Sequence, residues 1–254
     1  MKKLLAITAL SAALFFGQTA AAEEKAAEEV KPSHVEMVLV LDESGSMSDL
    51  TRDTIGGFNS MIEKEKKLDV DAHVTTVLFN DQYKMLYNRR ELKDVRKMTD
   101  KDYTPGGMTA LLDAVGRTIH KMDMVSGIHR KDKGNKVLFV IITDGEENDS
   151  KEYTYADVKK LIKDRQENAG WEFIFLGANI DAAAAAENLG IDRDRAVKYK
   201  NTGSGVRANF KAVAELSDSL AKSGRVSDRW KETVEKDEDD AADKQSAAVT
   251  LHRR

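Results

Sequence analysis

Asp42-Glu43-Ser44-Gly45-Ser46 sets a carboxylate and two hydroxyls at alternate positions, directly after the apolar run Val35–Leu41. Such a run reads as a buried strand, so the three oxygens are delivered together on the turn that ends it. Hard oxygen donors suit Mg²⁺, Mn²⁺ or Ca²⁺ rather than zinc. Two further segments end in the same chemistry. Gly106-Gly107-Met108-Thr109 brings a hydroxyl to the start of an expected helix, whose apolar stripe is Ala110, Leu111, Leu112, Val115 and Ile119. Ile141-Ile142-Thr143-Asp144-Gly145 places a second carboxylate at the end of the apolar run Val137–Ile142. Singly, each has a plainer reading: Asp42 and Ser44 suit a turn and a helix cap, Thr109 an N-cap, and Asp144-Gly145 an ordinary turn. Together they describe a site assembled from three separated loops.

These residues resemble the von Willebrand factor A (vWA) domain and its metal-ion-dependent adhesion site. In that family Asp-x-Ser-x-Ser is followed by a Thr after a glycine-rich loop and by an Asp after the fourth strand. All five positions are filled, by Asp42, Ser44, Ser46, Thr109 and Asp144, and the similarity covers roughly residues 34–222. Thr54-Ile55-Gly56-Gly57-Phe58-Asn59 and Thr109-Ala110-Leu111-Leu112-Asp113 look like the compact bacterial and phage-borne branch. The resemblance implies that Ser44, Ser46 and Thr109 coordinate the ion directly, while Asp42 and Asp144 act mainly through water and by orienting the hydroxyls. It also implies an open vertex, filled by a Glu or Asp carboxylate of a protein partner, because an ion with few protein carboxylates keeps net positive charge. The expected function is therefore a metal-dependent protein-binding module using Mg²⁺, with Mn²⁺ or Ca²⁺ as alternatives. Two other readings stand beside it. One is a structural subunit of an envelope assembly. The other is a metal-dependent phosphohydrolase of the haloacid dehalogenase type, which would need a second acid where Ser44 stands.

The elements that must hold this site follow from hydrophobic pattern. Strands are expected at Val35–Leu41, Val70–Phe79, Tyr83–Tyr87, Val137–Ile142, Trp171–Leu176 and Ala196–Tyr199. Helices are expected at Asp49–Leu68, from Thr109 to about Met124, at Tyr153–Asn168, over Ala182–Ala186 and at Gly205–Ser223. Strands alternating with helices predict an α/β fold: a doubly wound, mostly parallel six-stranded sheet, with helices on both faces. The short Asn80-Asp81 link makes the third strand antiparallel and therefore an edge, with Lys84, Arg89 and Arg90 guarding it. In such sheets ligands sit beyond the carboxyl ends of the strands, where Asp42 and Asp144 fall. Gly56-Gly57 inside the first helix weakens it by roughly 1 kcal/mol each, which suggests close approach of a neighbour. Glu43, Met47, Asp81, Tyr103, Met108, Glu146, Glu147 and Asn148 are expected at the same rim, with Glu146 and Glu147 making it negative.

Composition bounds the rest. The 254 residues carry a net charge of −4 with no basic block, which gives no support to nucleic acid binding. There is no cysteine, so disulfides, thiolate metal sites and cysteine nucleophiles are excluded. His34, His73, His120, His129 and His252 are scattered without H-x-x-x-H spacing and read as surface or packing residues. Lys2 and Lys3, the apolar stretch Leu4–Phe16 and Ala20-Ala21-Ala22 form a secretory signal pattern, with cleavage expected after Ala22. The expected layout is signal peptide 1–22, linker 23–33, vWA domain 34–224 and charged flexible tail 225–254. The mature protein is expected to be exported, periplasmic or extracellular, with no stable membrane anchor; the sequence sets no oligomeric state.

Overall fold

Eight consecutive buried residues, with no polar alternation, mark the first strand as one covered on both faces. The structure, a computed structural model, describes residues 34–124, 135–227 and 229–237. The expected signal peptide and linker, residues 125–134, residue 228 and the chain beyond 237 lie outside the described residues. The strands are β1 (Val35–Asp42), β2 (Ala72–Phe79), β3 (Tyr83–Glu91), β4 (Lys136–Thr143), β5 (Glu172–Gly177) and β6 (Ala196–Lys198). The helices are α1 (Thr51–Lys67), α2 (Leu111–Asp123), α3 (Tyr155–Asp164), α4 (Ala182–Leu189) and α5 (Gly203–Ser223). Sheet order is β3-β2-β1-β4-β5-β6. Every pairing is parallel except β2 with β3, as the sequence predicted. No described helix is long and apolar enough to cross a membrane.

The chain leaves β1 toward β2 and returns to β4 on its other side, so the switch point lies between β1 and β4. One sheet face packs Val35, Met37, Leu39 and Leu41 with residues of α1 and α5. The other packs Val38 and Val40 with α2, α3 and α4. The glycine pair of α1 is explained by half. A Cβ on Gly57 would meet the Phe210 ring of α5 at 2.5 Å, whereas Gly56 faces open space.

Two expectations need correction. β3 runs four residues further than predicted and carries register shifts against β2. Its basic residues do not simply guard an edge. Lys84 reaches Glu43 at 3.5 Å, and the guanidinium of Arg89 folds onto Glu36. The segment expected as a charged tail from residue 225 packs instead, through Val226, Trp230 and Val234, into the core on the α1/α5 face. Thr233 donates to Glu215 of α5 at 2.9 Å, and 232–237 is helical.

The α1–α5 seam also buries a carboxyl. Ser217 donates to Glu65 Oε2 at 2.8 Å, and Oε1 has no partner. Burial pushes the Glu65 carboxyl up to about 7, opposed by the Ser217 bond and aided by the charge of Asp218. The fold therefore favours the protonated acid. Its stabilising contribution is full below the ordinary value of 4.5 and is lost as pH rises through about 7. Glu65→Gln is expected to match the wild type near pH 4 and to exceed it at pH 8 by on the order of 2–3 kcal/mol. Urea midpoints at the two pH values check this, and parallel pH curves for the two proteins would reject it.

Candidate metal centre at the switch point

Asp42 is the last residue of β1, and Asp144 follows the last residue of β4. Because β1 and β4 are neighbours, both carboxylates reach one rim. Asp42 Oδ1 accepts the backbone N–H of Ser44 at 2.7 Å, and Oδ2 accepts the Thr143 hydroxyl at 2.5 Å. Ser46 donates to Asp144 Oδ1 at 2.6 Å, and its hydroxyl lies 3.1 Å from that of Ser44. Four of the five predicted residues are thus joined through Asp42–Ser44–Ser46–Asp144. Thr109 arrives from the loop before α2. A Cβ on Gly145 would stand 3.9 Å from its hydroxyl, which places Thr109 beside Asp144.

The loops are pinned by their backbones. Gly45 N–H donates to Gly107 O, and Gly106 N–H to Glu43 O. Gly107 adopts φ +73°, where a side chain would strike Asp81. Asn148 Oδ1 accepts Thr109 N–H at 2.8 Å, and Asn80 O accepts that of Ala110. The predicted helix start shifts as a result: α2 begins at Leu111, two residues beyond Thr109. Its exposed N–H groups are met by Glu147, whose Oε2 accepts from Leu112 at 2.9 Å. Glu147 is a helix cap here, and Glu146 remains exposed at the rim. Glu43, also expected at the rim, is buried and accepts the Thr104 N–H, as Met47 is buried in the core.

The electrostatics are those of a site short of positive charge. Asp42 and Asp144 are 1% and 2% exposed. No lysine or arginine among the described residues pairs with either. Burial pushes the Asp42 carboxyl up, bonds from Ser44 and Thr143 oppose this, and the charge of Asp144 adds to it. Beneath them lie two phenols. Tyr103 donates to Asp42 O at 2.6 Å, and the buried Tyr199 hydroxyl has no partner. Burial first, then the two aspartates, raise both phenols well above their ordinary range. Asn201 Nδ2 approaches Asp144 Oδ2 at 3.4 Å. Two carboxylates, three hydroxyls and no nitrogen or sulfur ligand fit a hard divalent cation. Thr143 and Asn201 escaped the sequence reading, although a lone threonine closing an apolar strand was a usable signal for the first.

A doubly wound sheet of this order, with Asp-x-Ser-x-Ser on its switch turn and Thr109 and Asp144 beside it, defines a vWA domain. Residues 34–190 match the vWA-TerF-like family, described as the vWA found in the TerF C terminus. The chain belongs to that family. No curated protein sequence matches it. Among solved structures it is similar to the pilus adhesin SpaC from Lactobacillus rhamnosus GG in its open conformation (13% identity, TM-score 0.58, 75% of this chain and 30% of that one). It is also similar to the vWF domain of the type V pili tip protein Mfa5 from Porphyromonas gingivalis (12%, 0.53, 78% and 99%). A third likeness is to the PilB minor pilin from Streptococcus sanguinis (14%, 0.51, 72% and 61%). At these identities the likeness is one of fold, and the chain spans less than two thirds of the pilin and under a third of SpaC.

Proposed function

We propose that this protein is an exported, non-enzymatic binding module that captures an acidic residue of a protein partner through a divalent cation, Mg²⁺ first among the candidates. The reading rests on one observation: two buried carboxylates share a rim with three hydroxyls, and no lysine or arginine among the described residues pairs with either carboxylate. Ser44, Ser46 and Thr109 would hold the ion, with Asp42 and Asp144 orienting them. The ion supplies an electrophilic vertex for the partner's carboxylate. Ser46 and Met108 are exposed, so that vertex faces solvent. The Ser44 and Ser46 hydroxyls are engaged with each other and with Asp144, and no histidine among the described residues bonds them. That favours binding over hydrolysis. The signal pattern of residues 1–22 supports export.

A cavity of about 250 Å³ adjoins the rim, lined in part by Leu111, Glu146, Tyr155, Ile180 and Asp181. It would accept a side chain neighbouring the partner's acid, and the three acids that line it, Glu146, Glu147 and Asp181, favour a basic or amide-bearing one. Capture from envelope and host extracts, in Mg²⁺ and again in EDTA, tests the reading. The expected result is a partner retained only with Mg²⁺ and lost in folded Thr109→Ala. An unchanged set of partners in EDTA would move the function to another surface.

A further inference from the structure

The amino ends of β1 and β2 carry a second cluster, which includes two histidines that the sequence reading assigned to the surface or to packing. Glu36 is the only charged residue before Asp42 in an otherwise apolar strand. His34, two residues earlier, shares its face of the sheet. His73 is the residue directly opposite Glu36 on β2. Glu36 and Asp42 are six strand positions apart, about 20 Å, so this cluster is remote from the switch-point rim.

The three side chains converge on one point. His34 Nε2 and His73 Nδ1 are 2.8 Å apart. Glu36 Oε1 lies 3.3 Å from the first and 3.1 Å from the second. Among the described residues this is the group of His, Asp and Glu whose ligand atoms meet so closely. Ligands about 2.0–2.2 Å from a common ion stand about 2.8–3.5 Å from one another, which is the spacing seen. Proton positions sharpen the point. His34 Nε2 faces Glu36 Oε1 and its Nδ1 faces Asp71 Oδ1 at 3.0 Å; the bond to Glu36 and then that to Asp71 raise the imidazole above its ordinary range, and the neutral form that keeps its N–H on Asp71 turns the Nε2 lone pair inward. His73 Nδ1 faces an Arg89 Nη2 donor at 3.2 Å and therefore also presents a lone pair. In that neutral form two lone pairs and a carboxylate meet at these distances, an arrangement that only a positive charge among them relieves.

Arg89 provides that charge. Its guanidinium donates to both oxygens of Glu36. The residue sits where the β2–β3 register shifts, at φ +46°, with its N–H on the Thr75 hydroxyl at 3.1 Å. Its side chain is partly exposed, so it can swing to solvent. Glu36 itself is 1% exposed and is held in place by the sheet.

We infer that His34 Nε2, His73 Nδ1 and Glu36 Oε1 form a binding site for a divalent transition metal of the zinc class, for which the Arg89 guanidinium is a displaceable stand-in. Nitrogen donors set this site apart in metal preference from the all-oxygen rim. Asp71 supports it by fixing the His34 tautomer, and solvent completes the coordination.

Zn²⁺ titration of the tag-free full chain, by calorimetry in excess Mg²⁺, tests the assignment. One equivalent should bind to the wild type and equally to Asp144→Asn, which separates this site from the rim. His34→Ala and His73→Ala, both at partly exposed positions, should each lower affinity by more than about 100-fold, and Asp71→Asn by about 10–100-fold. Arg89→Gln should raise affinity, since it removes the competing cation; a cluster that is merely a structural ion pair would not show that gain. Absence of Zn²⁺ binding in the wild type, or binding that survives the double histidine variant, would overturn the inference.

Discussion

Saturating Mg²⁺ is expected to raise the melting temperature of the wild-type protein by about 5–10 °C and to leave Asp144→Asn unmoved. An ion at 100 times its dissociation constant stabilises the folded state by about 2.7 kcal/mol. For a domain of this size each kcal/mol shifts the midpoint by roughly 2–4 °C. The sign without metal is as informative. Asp42 and Asp144 are buried together with no cationic partner among the described residues, so they repel in the ion-free fold. Asparagine at 144 retains an oxygen for the Ser46 hydroxyl and removes one charge. Metal-free Asp144→Asn should therefore melt at or above the wild type, and Mg²⁺ should reverse the order. Differential scanning calorimetry in EDTA and in Mg²⁺ reads both. A wild-type midpoint indifferent to Mg²⁺, Mn²⁺ and Ca²⁺ alike would remove the cation from the proposed function.

The second large effect lies far from that rim. Trp230→Ala is expected to destabilise the protein by about 3–5 kcal/mol, the range for deleting a large buried aromatic side chain. Trp230 is 2% exposed and belongs to the same core as Leu216 and Leu220 of α5. A residue in a solvated tail would change stability by no more than about 0.5 kcal/mol. The two expectations differ by several degrees of melting temperature. A shift under about 2 °C would mean that this segment only rests on the surface.

The strands and the five rim residues were legible because strand ends announce themselves: an apolar run stops at a polar residue, and topology then fixes which runs are neighbours. Asp42 and Asp144 followed from the strand ends, while Ser44 and Ser46 were singled out by the Asp-x-Ser-x-Ser spacing and the vWA resemblance. Thr109 was placed correctly, but the helix it was expected to open starts at Leu111, because the cap comes from Glu147, thirty-odd residues away. Long-range partners explain the other misses. Glu36 looked anomalous in a buried strand only once His73 and Arg89 were beside it, and neither is near it in sequence. Arg89 reads as an edge charge until the register shift turns it inward. Val226, Trp230 and Val234 recur every fourth residue, a signal that the surrounding charged composition masked.

The pairing of α1 with α5 also sets the order in which the molecule can form. The Gly57–Phe210 contact and the Glu65–Ser217 bond join residues about 150 positions apart in the chain. During synthesis the first three strands and α1 emerge early, and α1 can pack on β1 to β3, yet the part of its apolar stripe that faces α5 has no cover until α5 leaves the ribosome. Loops of that length close slowly, and surface left bare meanwhile is open to chaperones or to translocation machinery. The core on this face of the sheet is therefore closed only when α5 and Trp230 arrive, whereas the opposite face, built from α2, α3 and α4, is complete before them.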